Sequence, residues 1–348
     1  MDWFERLTGF RETGYADTRT RLAVEGRHLV SQVNRQRYAI GDLELVSLQT
    51  LRARVRAGDA RPGTLTVRNI SGDVRALHAD AEFAGALFQV ASQFNLLEMV
   101  GPDVTPEQGV TRYQHDGTQG PACAMAAGAA TIYRNYFAPV AGVAGQTRDR
   151  QLDGLADMGA ALGLALGLPV AALWTMRNGY ALGTEAGLTA IGKHLRGLDA
   201  DGRDALRSAL CIGLHQDVEV TDGIAEPRQR VSQAFCSALP VAYSRVRAEL
   251  WQPFAELVLE AAYEATLLAA LLMPRRLAPN TVLLTRLGGG AFGNDNGWIE
   301  AAMRRALLCC RGQALDVRIV NYGAASGAML ALENEFPAPV KPGKAAGR

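Results

Sequence analysis

The glycine-rich stretch Thr281-Val-Leu-Leu-Thr-Arg-Leu-Gly-Gly-Gly-Ala-Phe-Gly-Asn294 decides the fold prediction for this chain. An apolar, β-branched run enters a turn that glycine fills easily, and a helical pattern begins at about Gly297. Glycine lets the backbone approach a ligand closely, and the free N–H groups of a helix start attract anions, most often phosphate. The stretch therefore predicts a phosphorylated ligand, most simply a nucleotide.

The bulk composition is that of an ordinary globular protein and excludes several classes of function. The 348 residues are 48% hydrophobic and carry a net charge of +1, so no strong field favours a nucleic-acid or membrane partner. The five cysteines show no C-x-x-C spacing, which argues against a zinc site or a disulfide framework. The apolar segment from Leu152 to Leu173 is interrupted by Asp153, Asp157 and Pro169 and is too polar for a membrane span. Because the N-terminus is acidic where a signal peptide is basic, we expect a cytoplasmic protein, and no motif indicates a metal or cofactor.

Strand and helix patterns alternate along the chain, which is typical of a layered α/β fold. Residues that favour β-structure cluster or alternate at 27–33, 37–45, 63–70, 84–92, 231–243, 281–287 and 316–321. Helical patterns cover 47–56, with Ser47 as the cap, and then 120–137, 150–210, 251–273 and 298–308.

These patterns divide the chain into three parts. Residues 1–60 are predicted to form an N-terminal extension, a helix plus strands that pack on the core. Residues 61–335 are predicted to form one α/β domain, interrupted at about 140–228 by a helical insertion. Residues 336–348 are charged and rich in Pro and Gly, so we expect a disordered tail. No pattern indicates the oligomeric state.

The glycines from Gly288 to Gly293 match G-x-G-x-x-G, the fingerprint of dinucleotide-binding folds. The context does not fit that fold, because the fingerprint normally opens a domain and only about 55 residues follow it here. Two other interpretations stay open at this point. The stretch is either a structural glycine turn or the phosphate loop of another α/β fold.

Read in order, the elements from about residue 64 to 323 resemble a macrodomain, the ADP-ribose-binding fold. Val67-Arg-Asn-Ile-Ser-Gly-Asp-Val74 resembles its first strand and Gly-Asp turn, and Phe88-Gln-Val-Ala-Ser-Gln-Phe-Asn95 is similar to its second strand. Thr118-Gln-Gly-Pro-Ala-Cys-Ala-Met-Ala-Ala-Gly128 resembles its glycine-rich loop and small-residue helix. Ser92 stands where the family has an asparagine, and the spacing from the Gly-Asp turn to Asn95 is longer than usual.

The later half resembles the family more closely. The segments that match are Val231 to Tyr243, Trp251 to Leu271, Thr281 to Gly293, which is similar to the second phosphate loop, and Asp316 to Tyr322, which resembles the last core strand. The resemblance implies a three-layer α/β/α fold with a mixed central sheet. It also implies ADP-ribose or an ADP-ribosylated substrate as the partner.

The resemblance implies two adenine contacts. Asp73 would accept a hydrogen bond from the adenine amino group, although a helix cap or Asx turn explains the residue equally well. Tyr322 would stack on the adenine ring, although a tyrosine in the core is the alternative.

The resemblance also implies two backbone cradles for the diphosphate. The first comprises Gly120, Pro121 and Ala122, with Cys123 on the first helical turn, where a thiol can have a lowered pKa or simply pack as a small residue. The second comprises Gly289, Gly290, Ala291, Phe292 and Gly293, bounded by Gly288 and Asn294, with Phe292 covering the distal ribose or packing in the core.

Polar residues next to the first cradle are candidates for ribose binding and catalysis. Ser92, Asn95 and Gln119 could bind ribose hydroxyls. Hydrolysis of a glycosidic bond needs an acid that activates water or protonates the leaving group, and Asp116, Glu98 and His115 are the candidates. The alternative for each of these residues is a solvated loop charge or an ordering hydrogen bond.

Two further polar segments lie at 215–219 and 177–180. Residues 215–219, His-Gln-Asp-Val-Glu, lack the i, i+4 pairing of metal ligands, and an exposed turn is the preferred interpretation. Residues 177–180, Arg-Asn-Gly-Tyr, form a turn that could reach a ligand if the insertion folds over the cleft.

The sequence thus predicts a protein that binds ADP-ribose or a related nucleotide diphosphate-sugar and hydrolyses an ADP-ribosyl glycosidic bond. The alternatives are a non-catalytic ADP-ribose reader, a scaffold that has lost its ligand, and an NAD-binding oxidoreductase.

Overall fold

The computed structural model describes residues 1–58, 62–223, 227–273 and 280–338. Within these ranges the α-helices are α1 (Trp3–Thr8), α2 (Tyr15–Thr20), α3 (Leu48–Ala57), α4 (Val74–Ala79), α5 (Gln119–Ala126), α6 (Gly128–Tyr136), α7 (Ala156–Leu166), α8 (Val170–Leu173), α9 (Glu185–Gly197), α10 (Ala200–Ser208), α11 (Ala248–Leu272), α12 (Asn296–Cys309) and α13 (Gly327–Glu335). The strands are β1 (Leu22–Glu25), β2 (His28–Ser31), β3 (Arg37–Ala39), β4 (Asp42–Ser47), β5 (Leu65–Ser71), β6 (Leu87–Ala91), β7 (Pro139–Val140), β8 (Val143–Ala144), β9 (Trp174–Arg177), β10 (Tyr180–Gly183), β11 (Cys211–Glu219), β12 (Arg230–Cys236), β13 (Asn280–Leu284) and β14 (Leu315–Asn321).

A seven-stranded mixed sheet in the order β4-β11-β12-β6-β13-β14-β5 forms the centre of the molecule. The five strands from β12 to β5 are parallel, whereas β4 and β11 add an antiparallel edge. In a doubly wound dinucleotide-binding fold the first strand lies at the centre of the sheet. Here β5, the first of the parallel strands, lies at the edge, so the strand order does not support the oxidoreductase alternative.

Helices cover both faces of this sheet, because the central strands are apolar on both sides. Leu87 of β6 packs in one core with α3, α7 and α9 to α13. Phe88 and Val90, whose side chains point to the other face of β6, pack in a second core with α4, α5 and α6. Successive residues of one strand thus enter different cores, as the period of two requires. The predicted three-layer α/β/α class with a mixed sheet is confirmed.

Residues of the N-terminal extension contact the rest of the chain at several places. Ser47 caps α3 by accepting a hydrogen bond from the Thr50 N–H, and β4 becomes the edge strand of the central sheet. Glu12 contacts a more distant part of the chain. Its two carboxylate oxygens accept from the N–H groups of Val110 and Thr111 at 2.9 and 2.7 Å. The extension therefore fixes the start of the loop that leads to Asp116.

The predicted insertion is only partly helical. It contributes α7 to α10, but also the hairpins β7–β8 and β9–β10, and its last residues form β11 inside the sheet. The prediction of an exposed turn at residues 215–219 is wrong, because His215 is fully buried in β11. The polar residues of this segment follow one another and do not alternate with apolar ones. The sequence therefore lacks the continuous apolar run that is typical of a strand buried on both faces.

Two predicted boundaries also differ. The helix predicted over 120–137 divides into α5 and α6 at Ala127, whose backbone leaves the helical region at φ −113° and ψ 57°. The strand predicted over 37–45 divides into β3 and β4 at Gly41, which has a positive φ of 65°. Of the predicted tail, residues 339–348 lie outside the described residues. None of the described helices is both long and apolar enough to cross a lipid bilayer.

Candidate functional site: a cleft between two glycine loops

The carboxyl ends of the central parallel strands meet at one edge of the sheet. β6 ends at Ala91, β13 at Leu284, β14 at Asn321 and β5 at Ser71. Loops that follow parallel strands lie together at this edge, which is where open α/β sheets bind ligands.

The first loop enters α5 directly against the end of β6. The Gln119 side chain bonds to the β6 backbone twice, accepting from the Ala91 N–H at 2.8 Å and donating to the Gln89 carbonyl at 2.8 Å. Thr118, the N-cap residue of α5, makes no side-chain capping bond. No side chain of the cap therefore competes with a ligand for the N–H groups of the first turn.

Gly120 is required by the closeness of this contact. A Cβ atom added to Gly120 would lie 1.9 Å from the Ala91 carbonyl oxygen, which is far inside van der Waals contact. The start of α5 can therefore lie this close to the end of β6 only because residue 120 has no side chain.

We expect Gly120→Ala to lower the free energy of unfolding by roughly 2–3 kcal/mol, since the backbone must shift to admit the methyl group. Urea unfolding measures this loss. Gly117→Ala is the matched control, because no heavy atom lies within 4 Å of a Cβ at that position of the same loop. Its unfolding free energy should stay within about 0.5 kcal/mol of the wild type. Equal effects of the two substitutions would contradict this account of Gly120.

The second loop runs from β13 to α12 and is held by its own backbone. Gly289 N–H donates to the Arg286 carbonyl at 3.1 Å, and Asn294 N–H donates to the Gly288 carbonyl at 2.9 Å. Gly288 has φ +77° and Gly293 has φ +69°, a conformation that other residues rarely adopt. A Cβ at Gly290, by contrast, would meet no heavy atom within 4 Å. The loop is therefore fixed at both ends and open at its middle.

The two loops line one cleft. Gly120 and Pro121 lie on its wall together with Gly288, Gly290 and the adjoining Ala291 and Phe292. The empty space within the cleft and in the solvent at its opening is about 680 Å³. Two glycine loops that are far apart in the chain thus face a common space.

Glu98 contributes a buried carboxyl group to this cleft. Its Oε1 atom lies 3.4 Å from Nη2 of the fully buried Arg134, and its Oε2 atom has no hydrogen-bond partner. Burial raises the pKa of Glu98 to about 7, and the neighbouring Arg134 offsets part of that rise. The group can therefore hold a proton near neutral pH, as a general acid must.

Asp116 contributes a second carboxyl group. It lines the cleft, and its Oδ1 atom accepts from the Thr118 N–H at 2.9 Å and from the Thr118 hydroxyl at 2.7 Å. The third candidate, His115, is exposed, pairs with Gln114, and is not among the residues of the cleft wall. The structure therefore brings two of the three candidate acids to the cleft between the two glycine loops.

An aromatic cluster forms another part of the wall. The ring of Tyr180 lies 5.0 Å from that of Tyr243 and 5.3 Å from that of Phe292, measured between centroids. Tyr180 follows the turn at Asn178 and Gly179, both of positive φ, that joins β9 to β10. Of residues 177–180, Tyr180 lines the cleft, so the insertion contributes a side chain to its wall.

The remaining residues predicted for the first half of the site divide into two groups. Ser92 lines the cleft and is buried, with its hydroxyl donating to the Gln93 carbonyl at 3.0 Å. Asn95 is fully buried and outside the wall, and its amide bonds to the Leu97 N–H and to Gln151. Ala122 and Cys123 also lie outside the wall, and burial raises the pKa of the Cys123 thiol well above its usual value. Cys123 is thus a packed residue and not a reactive one.

In the second loop, Gly289, Gly293 and Asn294 shape the backbone without lining the cleft. The Asn294 amide donates to the Leu239 carbonyl at 2.8 Å, and a Cβ at Gly293 would approach that of Ala242 to 2.8 Å. These residues hold the loop in place.

The two predicted adenine contacts lie outside the cleft wall. Asp73 caps α4 by accepting from the Arg75 N–H at 2.8 Å, which is the local role that its sequence context suggested. Tyr322 is 99% exposed, so the alternative that placed this residue in the core is wrong. Both residues follow strands at the edge of the sheet where the carboxyl ends meet, and their contact with adenine stays a prediction.

Sequence reasoning missed several cleft residues. Arg286, Thr285 and Leu287 connect β13 to the glycines, and Arg286 is the cation of this segment. Its position two residues before Gly288 was a signal for an anion site. Gln93 and Tyr243 also line the cleft, and only the order of the strands reveals that they face it.

Comparison with known proteins finds distant structural similarity only. No protein-family model and no curated protein matches the chain. A mutant of poly(ADP-ribose) glycohydrolase from Deinococcus radiodurans, in complex with ADP-ribose, is 14% identical, with a TM-score of 0.44 over 85% of this chain and 94% of that one. The enzyme of the same name from Thermomonospora curvata is also 14% identical, with a TM-score of 0.40 over 84% of this chain and 85% of that one. At this level of similarity, the function of the chain has to be argued from the cleft itself.

Proposed function

We propose that the chain binds ADP-ribose, or a closely related nucleotide diphosphate-sugar, in the cleft between the two glycine loops. The observation that carries the proposal is the convergence of Gly120 and Gly290 on one space. A pyrophosphate needs donors on both sides, and backbone N–H groups at a helix start and in a glycine turn supply them. The sequence resemblance to macrodomains points to the same ligand.

We further propose that the protein hydrolyses an ADP-ribosyl glycosidic bond. Water attacks the anomeric carbon of the distal ribose while the bond from that carbon to the leaving group breaks. Asp116 accepts a proton from the water, and Glu98 donates its proton to the leaving-group atom. Two features support these roles: both carboxyl groups line the cleft beside the phosphate loops, and the pKa of Glu98 is raised to about 7 by burial.

A non-catalytic reader is the second candidate, because it would use the same pocket. The position of Glu98 and Asp116 in the cleft favours the enzyme. A scaffold without ligand is disfavoured by the open cleft.

Calorimetric titration with ADP-ribose, AMP and NAD tests the binding proposal. We expect ADP-ribose to bind in the micromolar range and more tightly than AMP, since the second phosphate and the distal ribose add contacts. Equal indifference to all three ligands would defeat the proposal. Incubation with an ADP-ribosylated protein, followed by assay of released ADP-ribose, then separates the enzyme from the reader.

The pH dependence of hydrolysis follows from the raised pKa of Glu98. As the proposed acid, Glu98 must be protonated, so kcat/KM should fall as the pH rises through about 7. The initial rates over the range from about pH 5 to pH 9 measure this, with circular dichroism as a control for folding at each pH. A rate that instead increases through neutral pH would assign Glu98 as a base and reverse the roles of the two carboxyl groups.

A further inference from the structure

Arg286 holds an unusual position among the charged residues of the protein. It lines the cleft at the start of the glycine loop, where its own carbonyl accepts the Gly289 N–H at 3.1 Å. Among the described residues of the wall, it is the sole lysine or arginine. The positive charge of the cleft therefore comes from one side chain, next to the backbone amides proposed to bind phosphate.

The charge of Arg286 has no carboxylate partner among the described residues. Its Nη2 atom donates to the side-chain oxygen of Asn296, a neutral group, and its Nε atom is buried without a partner. Several other arginines that are partly or fully buried pair with acids, as Arg305 does with Glu264 at 2.7 Å and Arg318 with Asp316 at 2.8 Å. A guanidinium left uncompensated in this way has free capacity for an anion.

The two carboxyl groups of the wall do not supply the missing counter-charge. Glu98 already lies beside Arg134, and the Oδ1 atom of Asp116 accepts from Thr118. The charge of Arg286 is therefore available to an anionic ligand in the cleft.

We propose that Arg286 binds a phosphate of the ligand directly and thereby selects nucleotide esters that carry a negative charge at the glycine loop. This inference rests on the proposed function and adds to it the residue that reads the charge of the ligand. The planar guanidinium and the loop amides would hold the same phosphate group from two sides. Uncharged nucleosides gain nothing from this contact.

A structural role for Arg286 is the competing explanation, because its bond to Asn296 joins the loop to the first residue of α12. Asn296→Ala removes that bond and leaves the arginine in place, so it is the matched control. Arg286→Gln removes the charge and keeps a polar side chain. Arg286→Lys keeps the charge and loses the forked geometry.

The experiment measures the dissociation constant of the full chain for ADP-ribose at about 50 mM and about 300 mM NaCl. We expect Arg286→Gln to weaken binding by about 10- to 100-fold at the lower salt concentration and to flatten the salt dependence, with Arg286→Lys between it and the wild type. Asn296→Ala should stay within about threefold of the wild type, as a neutral surface bond contributes little.

Three results would count against the proposed role of Arg286. Unchanged affinity and salt dependence in Arg286→Gln, with normal binding by the wild type, would overturn the inference and leave the proposed function standing. An equal loss in Asn296→Ala would assign Arg286 a structural role and also overturn the inference. Absence of ADP-ribose binding by the wild type would remove both proposals together.

Discussion

Glu98→Gln is expected to slow the release of ADP-ribose from an ADP-ribosylated substrate by roughly 10²- to 10⁴-fold, the usual contribution of a general acid. The amide has the shape of the carboxyl group but cannot transfer a proton to the leaving group. Its oxygen can still accept from Arg134, which keeps that buried guanidinium partnered. The substitution therefore removes the proposed proton transfer and keeps the contact with Arg134.

The affinity of Glu98→Gln for ADP-ribose distinguishes a loss of proton transfer from a damaged fold. Affinity for ADP-ribose should change by less than about tenfold in Glu98→Gln, because the phosphates are proposed to bind at the glycine loops and not at Glu98. Glu107→Gln is a matched control, since Glu107 lies outside the cleft wall and accepts from the Arg148 N–H at 2.8 Å. That variant should hydrolyse substrate at the wild-type rate. A Glu98→Gln protein as fast as the wild type would exclude Glu98 as the acid.

The buried pair of Glu98 and Arg134 explains how an acid with a pKa near 7 is maintained. Loss of hydration raises the pKa of the carboxyl group, and the guanidinium limits that rise. The same burial lowers the pKa of Arg134. Arg134 is further held over the ring of Phe235, at 3.8 Å from its centroid, so the pair has little freedom to move.

The local elements of the fold could be predicted because each has a strong pattern of its own. The stretch from β13 to α12 is such a case: an apolar run, a glycine turn and a helix start follow one another within twenty residues. The predicted start of that helix, at about Gly297, lies one residue from its observed start at Asn296. Capping of α3 by Ser47 was equally visible, since it depends on residues three apart.

The sheet order could not be predicted from local patterns, and neither could the elements that depend on it. β11 carries His215 and Gln216 in a buried strand, and only pairing with β4 and β12 satisfies its backbone. The approach of Gly120 to Ala91 likewise depends on how α5 returns to β6. Contacts of this kind join residues far apart in sequence, and no local periodicity encodes them.

The residues of the candidate cleft could be predicted only where a local pattern marked them. The glycines of both loops and the acids Glu98 and Asp116 stood out by residue type and neighbourhood. Tyr180 and Arg286 come from distant segments, the insertion and the loop after β13. Only the folded chain shows that both line the same cleft. His115 was a reasonable candidate by type, but its loop directs it to solvent.

Gly290→Glu tests most directly whether the two loops bind one pyrophosphate. Because a Cβ at Gly290 meets no heavy atom within 4 Å and the backbone is unstrained there, the fold should accept the side chain. The added carboxylate would stand in the open middle of the loop, where a phosphate is proposed to bind. Like charges about 4 Å apart repel by about 4 kcal/mol at the effective dielectric of a protein surface. Gly290→Gln adds a side chain of the same size without the charge.

Calorimetric titration of these two variants with ADP-ribose, alongside the wild type, is the decisive measurement. The account predicts that Gly290→Glu binds at least about 100-fold more weakly than the wild type, and clearly more weakly than Gly290→Gln, with the melting temperatures of all three proteins similar. Wild-type affinity in Gly290→Glu would contradict it, because no phosphate could then lie against the glycine loop.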